Sequence, residues 1–245
     1  MNKDQMISIL SGPKIPGDYQ FRANYRGSAI QRFWHHQRKL LIDSLLVPCS
    51  SDVILDIGCG SGVFAEYVSR TGAQVYGVDL NQESIGFAQR TFCMDNLQFL
   101  CQPIHKIGLP DQSVDKILML EVVEHLAPEY AEQVWREAVR LLRVGGRLLV
   151  TTPNYRSAYP IIEWLMDCLH LVPSLNEQHI IRTTMSYLKK SGLSCHLKLG
   201  PKGYYSYVAP FVAPLSWWLA EQIACWELRL PLPGGMEVYA CWQKE

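Results

Sequence analysis

Between residues 53 and 152, short apolar runs alternate with amphipathic stretches. Strands are expected at 53–57, 74–79, 97–101, 115–120 and 146–152, and helices at 62–71, 82–93 and 128–142. The runs are rich in Val, Ile and Leu and lack the 3.6-residue period that marks the helical stretches. Pro128 suits a first helical turn, and Val144-Gly145-Gly146 is expected to close that helix and return the chain to the sheet. This alternation predicts an α/β fold, a doubly wound and mostly parallel sheet with helices on both faces. A ligand crevice in such a sheet lies beyond the carboxyl ends of the strands. Ahead of this region, Tyr25 to Leu46 reads as one helix with Ile30, Phe33, Trp34, Leu41 and Leu45 along an apolar stripe. Arg26, Arg32, His35, His36, Arg38 and Lys39 occupy its other faces, expected as a solvated surface, the alternative being a basic lid or an anionic-surface contact. Residues 1–48 are thus expected to be an N-terminal helical cap, and 49–245 the main domain.

Past Asn154 the pattern changes. Residues 155–176 are aromatic and aliphatic, with Tyr155, Tyr159, Trp164, Leu165, Leu169 and Leu171 broken by Glu163 and Asp167. A helix at 180–191 and a strand at 193–199 are expected, then residues 204–220 pass without a charge, and Gly235 to Trp242 reads as a final strand. Apolar insertions are therefore placed at about 155–178 and 201–232. Trp217, Trp218, Tyr204, Tyr205 and Tyr207 suit a membrane interface, where an amphipathic ring has one dry and one wet edge. The plainer reading is the core of a bulky C-terminal cap.

The chemistry is concentrated in Val53-Ile-Leu-Asp-Ile-Gly-Cys-Gly-Ser-Gly62, a strand ending in a tight turn that opens a helix. Gly58, Gly60 and Gly62 let a ligand lie against the backbone. The next strand ends in Asp79, 17 residues beyond Gly62, where a carboxylate is placed to accept both hydroxyls of a ribose. A dinucleotide site would want G-x-G-x-x-G, with pyrophosphate on the helix N-terminus. Here the turn is G-x-G-x-G preceded by Asp56, which disfavours phosphate and favours an ammonium or sulfonium. That departure separates S-adenosylmethionine from NAD.

Composition narrows the class. At 245 residues the chain can bury a full core, and its 23 basic and 23 acidic residues balance. No general attraction to nucleic acid or to an anionic membrane follows. The eight cysteines form no C-x-x-C pair, so reduced thiols and a cytoplasmic setting are expected. The start, Met1-Asn-Lys-Asp-Gln, leads into no signal-peptide core, and no apolar run reaches the ~18 residues of a spanning helix.

Val53–Gly62, Val75–Leu80 and the segment Leu141–Asn154 together resemble the class I S-adenosylmethionine-dependent methyltransferases, over roughly residues 50 to 200. The resemblance implies a Rossmann-like sheet of seven strands with the last antiparallel. It also implies that Gly58, Gly60 and Gly62 pass beneath the methionine part of the cofactor, with Asp79 on the ribose. Leu80 would flank the adenine, and Gln102 to Ile104 would pass its edge. Many members carry an acidic residue where this chain has Cys101-Gln102-Pro103, which leaves the adenine contact open.

Glu121-Val-Val-Glu124-His125 follows directly after the fourth strand. Two carboxylates at i and i+3 with an adjacent histidine suit a hard divalent ion such as Mg2+, which would lower the pKa of a substrate hydroxyl. The stretch resembles the E-x-x-E-H of ubiquinone-biosynthesis O-methyltransferases and of small-RNA 3′-end 2′-O-methyltransferases, whose later histidine is matched by His179. In many other methyltransferases Glu121 would sit near the cofactor and His125 would be a metal-free base or a helix-start residue. His125 and Glu121 are the expected catalytic pair; Glu121, Glu124, His125 and His179 are the metal set. A nucleic-acid enzyme should show basic residues among its aromatics. Yet residues 155–176 contain only Arg156, and residues 204–228 contain no Lys or Arg. The expectation is methyl transfer to a hydroxyl on an apolar or lipid-like small molecule, with peripheral membrane contact one reading and no clear protein partner. The rivals are RNA 2′-O-methylation and non-catalytic binding of S-adenosylmethionine.

Overall fold

The computed structural model describes residues 16–169, 179–230 and 232–245. Residues 170–178, which include Leu171 and the end of the first expected insertion, lie outside the described residues, as does the start of the N-terminal cap. The described strands are β1 Val53–Ile57, β2 Gln74–Asp79, β3 Leu97–Cys101, β4 Val114–Leu120, β5 Leu142–Pro153, β6 Leu197–Tyr205 and β7 Glu237–Lys244. They form one seven-stranded sheet in the order β3-β2-β1-β4-β5-β7-β6. β1 to β5 pair in parallel, and β7 enters between β5 and β6 antiparallel to both. The described helices are α1 Tyr19–Tyr25, α2 Ala29–Leu41, α3 Val63–Ser69, α4 Gln82–Thr91, α5 Pro128–Leu141, α6 Tyr159–Cys168, α7 Met185–Ser194, α8 Ala209–Val212 and α9 Trp217–Glu227.

The two-residue period of the strands divides the core between the faces of the sheet. Leu55, Ile57, Ile117, Met119, Leu148, Val150, Val238 and Trp242 point to one face, where they meet Trp135 and Leu141 of α5 and Leu188 of α7. Ile54, Leu118, Leu149, Tyr239 and Cys241 point to the other, against Leu41, Phe64 and Val68 of α2 and α3 and Ile85 and Ala88 of α4. The central strands are buried on both sides, which is why they read as continuous apolar runs. A third cluster joins Phe33 of α2 to Ala209, Ala213, Ala220 and Ala224 of α8 and α9.

Several expected boundaries move. The single helix from Tyr25 to Leu46 is two helices, because Ser28 caps α2 by accepting from Gln31 N, and its last turn, Ile42–Leu46, widens to a π-helix. Arg38 is not on a solvated face: its side chain is 4% exposed and faces carboxylates. Gly145 and Gly146 lie inside β5, which begins at Leu142 directly after α5 and shifts register between Val114 and Lys116 on β4. The helix expected at 180–191 starts later, where Thr184 accepts from Tyr187 N, and the strand expected at 193–199 runs to Tyr205. The uncharged stretch splits. Tyr205 is buried and Trp217 stacks edge-on against Phe33, 4.9 Å between centroids, while Trp218 is exposed. All eight cysteines are free thiols.

One consequence of the topology sets the site. Because β7 is antiparallel, its first residue, Glu237, lies opposite Pro153 at the end where β1, β2, β4 and β5 finish. Carboxylates near the ends of β1 and β2, in the turn after β4 and at the start of β7 therefore gather at one edge.

Candidate functional site

A cavity of about 1280 Å³ lies at that edge. Small-molecule sites usually take roughly 300–1,000 Å³, so this one has room for a cofactor and a second molecule. Its lining runs from Asp79, at the end of β2, to Glu237, at the start of β7. Those two positions are separated by β1, β4 and β5, or four strand spacings, about 19 Å.

At one end is the glycine turn. Gly58 N and Cys59 N both donate to Val78 O, which fastens the turn to β2. Gly58 and Gly60 have φ of +70° and +51° and line the cavity, where a Cβ on Gly60 would stand 2.4 Å from Gln20 Oε1. Gly62 does not line it; a Cβ there would lie 2.6 Å from the Phe99 ring, so this glycine lets α3 approach β3. Asp79 lines the cavity and is held from two sides, Oδ2 accepting from Gly60 N and Oδ1 from Asn81 N, each at 2.8 Å. Burial nevertheless raises its carboxyl above the usual range. The free lone pairs of Asp79 remain for a diol. Leu80, Gln102 and Ile104 line the same end, with Gln102 N donating to Asp79 O. Asp56 is placed differently: it is 2% exposed and sits beneath the turn, outside the cavity lining. Burial, then the charge of Asp79, push its carboxyl up to about 8. The acidic group at the mouth of the turn is Asp79.

At the other end, Glu121 follows β4 with φ +55°, the left-handed region that non-glycine residues seldom occupy and that concentrates at functional sites. Its amide donates to Thr151 O, and its carboxylate accepts from Thr151 Oγ1 at 2.6 Å and pairs with Arg38 at 3.3 Å. The turn Val123–His125 then places Glu124, fully buried, with Oε2 accepting from Thr152 Oγ1 at 3.0 Å. Burial, then the neighbouring Glu121, push the Glu124 carboxyl well above the usual range. Its Oε1 has no hydrogen-bond partner, and His125 Nε2 lies 4.0 Å away. The rings of His125 and His179 stand 4.9 Å apart. His179 Nδ1 lies 2.6 Å from Glu163 Oε1 and 2.7 Å from the Tyr155 hydroxyl. Glu163 Oε1 also accepts from the Tyr155 hydroxyl at 2.8 Å, so the two residues together hold the His179 ring in place.

Of the four expected metal residues, Glu124, His125 and His179 offer atoms within 4.8 Å of one another. Glu121 is outside that group and is engaged by Arg38 and Thr151 instead. Sequence reasoning missed the groups that hold these residues. Arg38 Nη2 donates to Glu237 Oε1 at 2.5 Å, Trp34 Nε1 donates to the same atom, and Arg38 Nη1 meets His35 Nδ1 at 2.7 Å. Burial raises the Glu237 carboxyl to about 7 against the pull of Arg38, while burial beside Arg38 lowers His35 well below its usual value. The one signal available was Thr151-Thr152 at the carboxyl end of a strand, where hydroxyls are placed to orient crevice side chains.

Comparison with known proteins places these features in a context. Residues 55–150 match the family model described as "Methyltransferase domain". A ubiquinone biosynthesis O-methyltransferase of Aeromonas salmonicida is 30% identical over 187 residues, covering 66% of this chain and 76% of that protein. A protein of Mycobacterium tuberculosis named "Probable S-adenosylmethionine-dependent methyltransferase" is 28% identical over 125 residues, 51% of this chain and 44% of that one. The chain spans about half the length of this and similar curated relatives. A crystal structure of an S-adenosylmethionine-dependent methyltransferase from Archaeoglobus fulgidus superposes with a TM-score of 0.64 at 20% identity, covering 92% of this chain and 99% of that one. At that identity the likeness speaks for the fold.

Proposed function

Because this chain belongs to the class I S-adenosylmethionine-dependent methyltransferases, we propose that it transfers the cofactor's methyl group to a hydroxyl oxygen on an apolar or lipid-like small molecule. The observation that carries the reading is Asp79, lining the cavity at the end of β2 with both oxygens oriented by Gly60 and Asn81 amides. The residues present suit the cofactor. Gly60 leaves space beneath the turn that a Cβ would fill, Asp79 would take the ribose hydroxyls, and Leu80, Gln102 and Ile104 would border the adenine. When bound, S-adenosylmethionine supplies an electrophilic sulfonium methyl. The protein's tasks are then alignment and removal of one proton. His125, facing the cavity, takes that proton; buried Glu124 flanks it, with Oε1 4.0 Å from its Nε2, and Glu121 holds the wall in register through Arg38.

An apolar acceptor is favoured by the far lining, where Tyr159, Ile162 and Met166 of α6 face Phe211 of α8. Arg38 is the only Lys or Arg among the described lining residues, and it is already paired, which disfavours an RNA acceptor. On the outer surface α6 exposes Trp164 and Leu165, and Leu215 is exposed just after α8, a surface suited to peripheral contact with a membrane from which a lipid-like acceptor would enter. No helix among the described residues is long and apolar enough to cross a membrane. In this reading the helices of residues 16–48, the described part of the expected cap, border the site, and the working compartment is the cytoplasm. A second reading adds a divalent ion such as Mg2+ to activate the acceptor hydroxyl, favoured by the convergence of Glu124, His125 and His179. Isothermal calorimetry with S-adenosylhomocysteine tests the main reading. Asp79→Asn should weaken binding by about 10- to 100-fold, as expected for losing charge-assisted hydrogen bonds; unchanged affinity refutes the ribose assignment.

A further inference from the structure

Building on that reading of the cavity, we propose that Arg38, Glu121 and Glu237 form an acceptor subsite that selects an uncharged hydroxyl-bearing head group and rejects carboxylate and phosphate. The three residues come from α2, the turn after β4 and the start of β7, and all line the cavity. Arg38 is a cation whose charge is already committed, to Glu237 at 2.5 Å and Glu121 at 3.3 Å. It therefore offers hydrogen bonds without a net positive field, unlike the uncompensated basic groups that recognise anions. An incoming anion would face the carboxylates of Glu121 and Glu237 in a desolvated space, where like charges repel strongly.

A second observation points to a bound polar group. Arg38 Nε and Glu124 Oε1 are both buried, and neither has a hydrogen-bond partner. Buried polar atoms are seldom left unpaired in folded proteins. Arg38 Nε only donates, whereas the carboxyl oxygen accepts when ionised and can donate when protonated. A hydroxyl, which donates and accepts, can serve an atom of either kind. A carboxylate or phosphate would serve the arginine and meet the carboxylates as another anion.

The test uses three probes with one tail: decanol, decanoate and decyl phosphate. Each is titrated by calorimetry at pH 8 into the full chain saturated with S-adenosylhomocysteine. Decanol should bind at least tenfold more tightly than either anion. Glu237→Gln should narrow that gap to threefold or less, because one repelling charge is removed while the amide keeps the shape. Glu121→Gln, made in parallel, should narrow it in the same direction and serves if the first variant does not fold. A wild-type gap below threefold, no binding of any probe, or a gap that neither variant narrows overturns the subsite. Binding of S-adenosylhomocysteine is titrated first, on the same protein and before the probes are added. Its loss overturns the methyltransferase reading, whereas intact cofactor binding with the wrong head-group preference overturns the subsite alone.

Discussion

Arg38→Met removes the cation that joins α2 to the sheet and leaves Glu237 facing Glu121 without compensation. Glu237 is 1% exposed and Arg38 4%, so solvent screens the pair little. Removing one partner of such a buried pair costs about 3–5 kcal/mol, mostly the penalty of the charge left behind. The cost depends on pH. In the wild type the Glu237 carboxyl stands at about 7, against an ordinary 4.5. Between those values the folded chain holds a proton that the unfolded chain releases, so the contribution of Glu237 to stability falls as pH rises, by about 3 kcal/mol in all. Arg38 opposes this rise, and without it the folded value climbs further and the loss extends above pH 7. At pH 6 Glu237 is largely protonated in both proteins, and the variant should lose the guanidinium's hydrogen bonds and its pairing with the partly exposed Glu121, together about 2 kcal/mol. Urea unfolding at pH 6 and pH 8 measures both losses, and at pH 8 the midpoint of thermal unfolding should drop by roughly 10 °C. A variant as stable as the wild type at pH 8, or one equally destabilised at both pH values, would refute the buried charge assignment.

The glycine turn separates two roles. Gly62→Ala forces a side chain to φ +81° and against the Phe99 ring, so it should cost about 2 kcal/mol or more in urea unfolding. Gly60→Ala meets the movable end of Gln20 and should chiefly weaken S-adenosylhomocysteine binding in calorimetry, with a smaller stability loss; the reverse pattern would exchange their roles. If a divalent ion completes the Glu124, His125 and His179 cluster, EDTA should abolish methyl transfer and Mg2+ restore it. Full activity in EDTA, together with an active Glu124→Gln, removes the ion and leaves His125 as a metal-free base.

Much of the fold was legible because β1, β2 and β4 are short apolar runs closed by glycine or a carboxylate, a pattern that suits parallel strands buried on both faces. The edge was not. β6 pairs only with β7, carries Pro201 and two lysines, and so lacks a continuous apolar signal. Gly58, Gly60 and Asp79 were legible as a set because the backbone conformation and the strand end fix their chemistry locally. The wall around Glu121 was not, since the partners of Arg38 and Trp34 on β7 lie 199 and 203 residues away. A helical arginine reads as solvated until the sheet topology shows which carboxylates it meets. Glu163, taken as a break in an apolar stretch, proves to be the carboxylate that orients His179.

Methyl transfer to an apolar acceptor is measured by incubating the purified protein with methyl-labelled S-adenosylmethionine and a host-cell extract, then separating organic, RNA and small polar fractions. Label is expected in the organic phase and should be lost in Asp79→Asn and His125→Ala. Label confined to RNA, or no transferred label at all, would contradict transfer to an apolar acceptor.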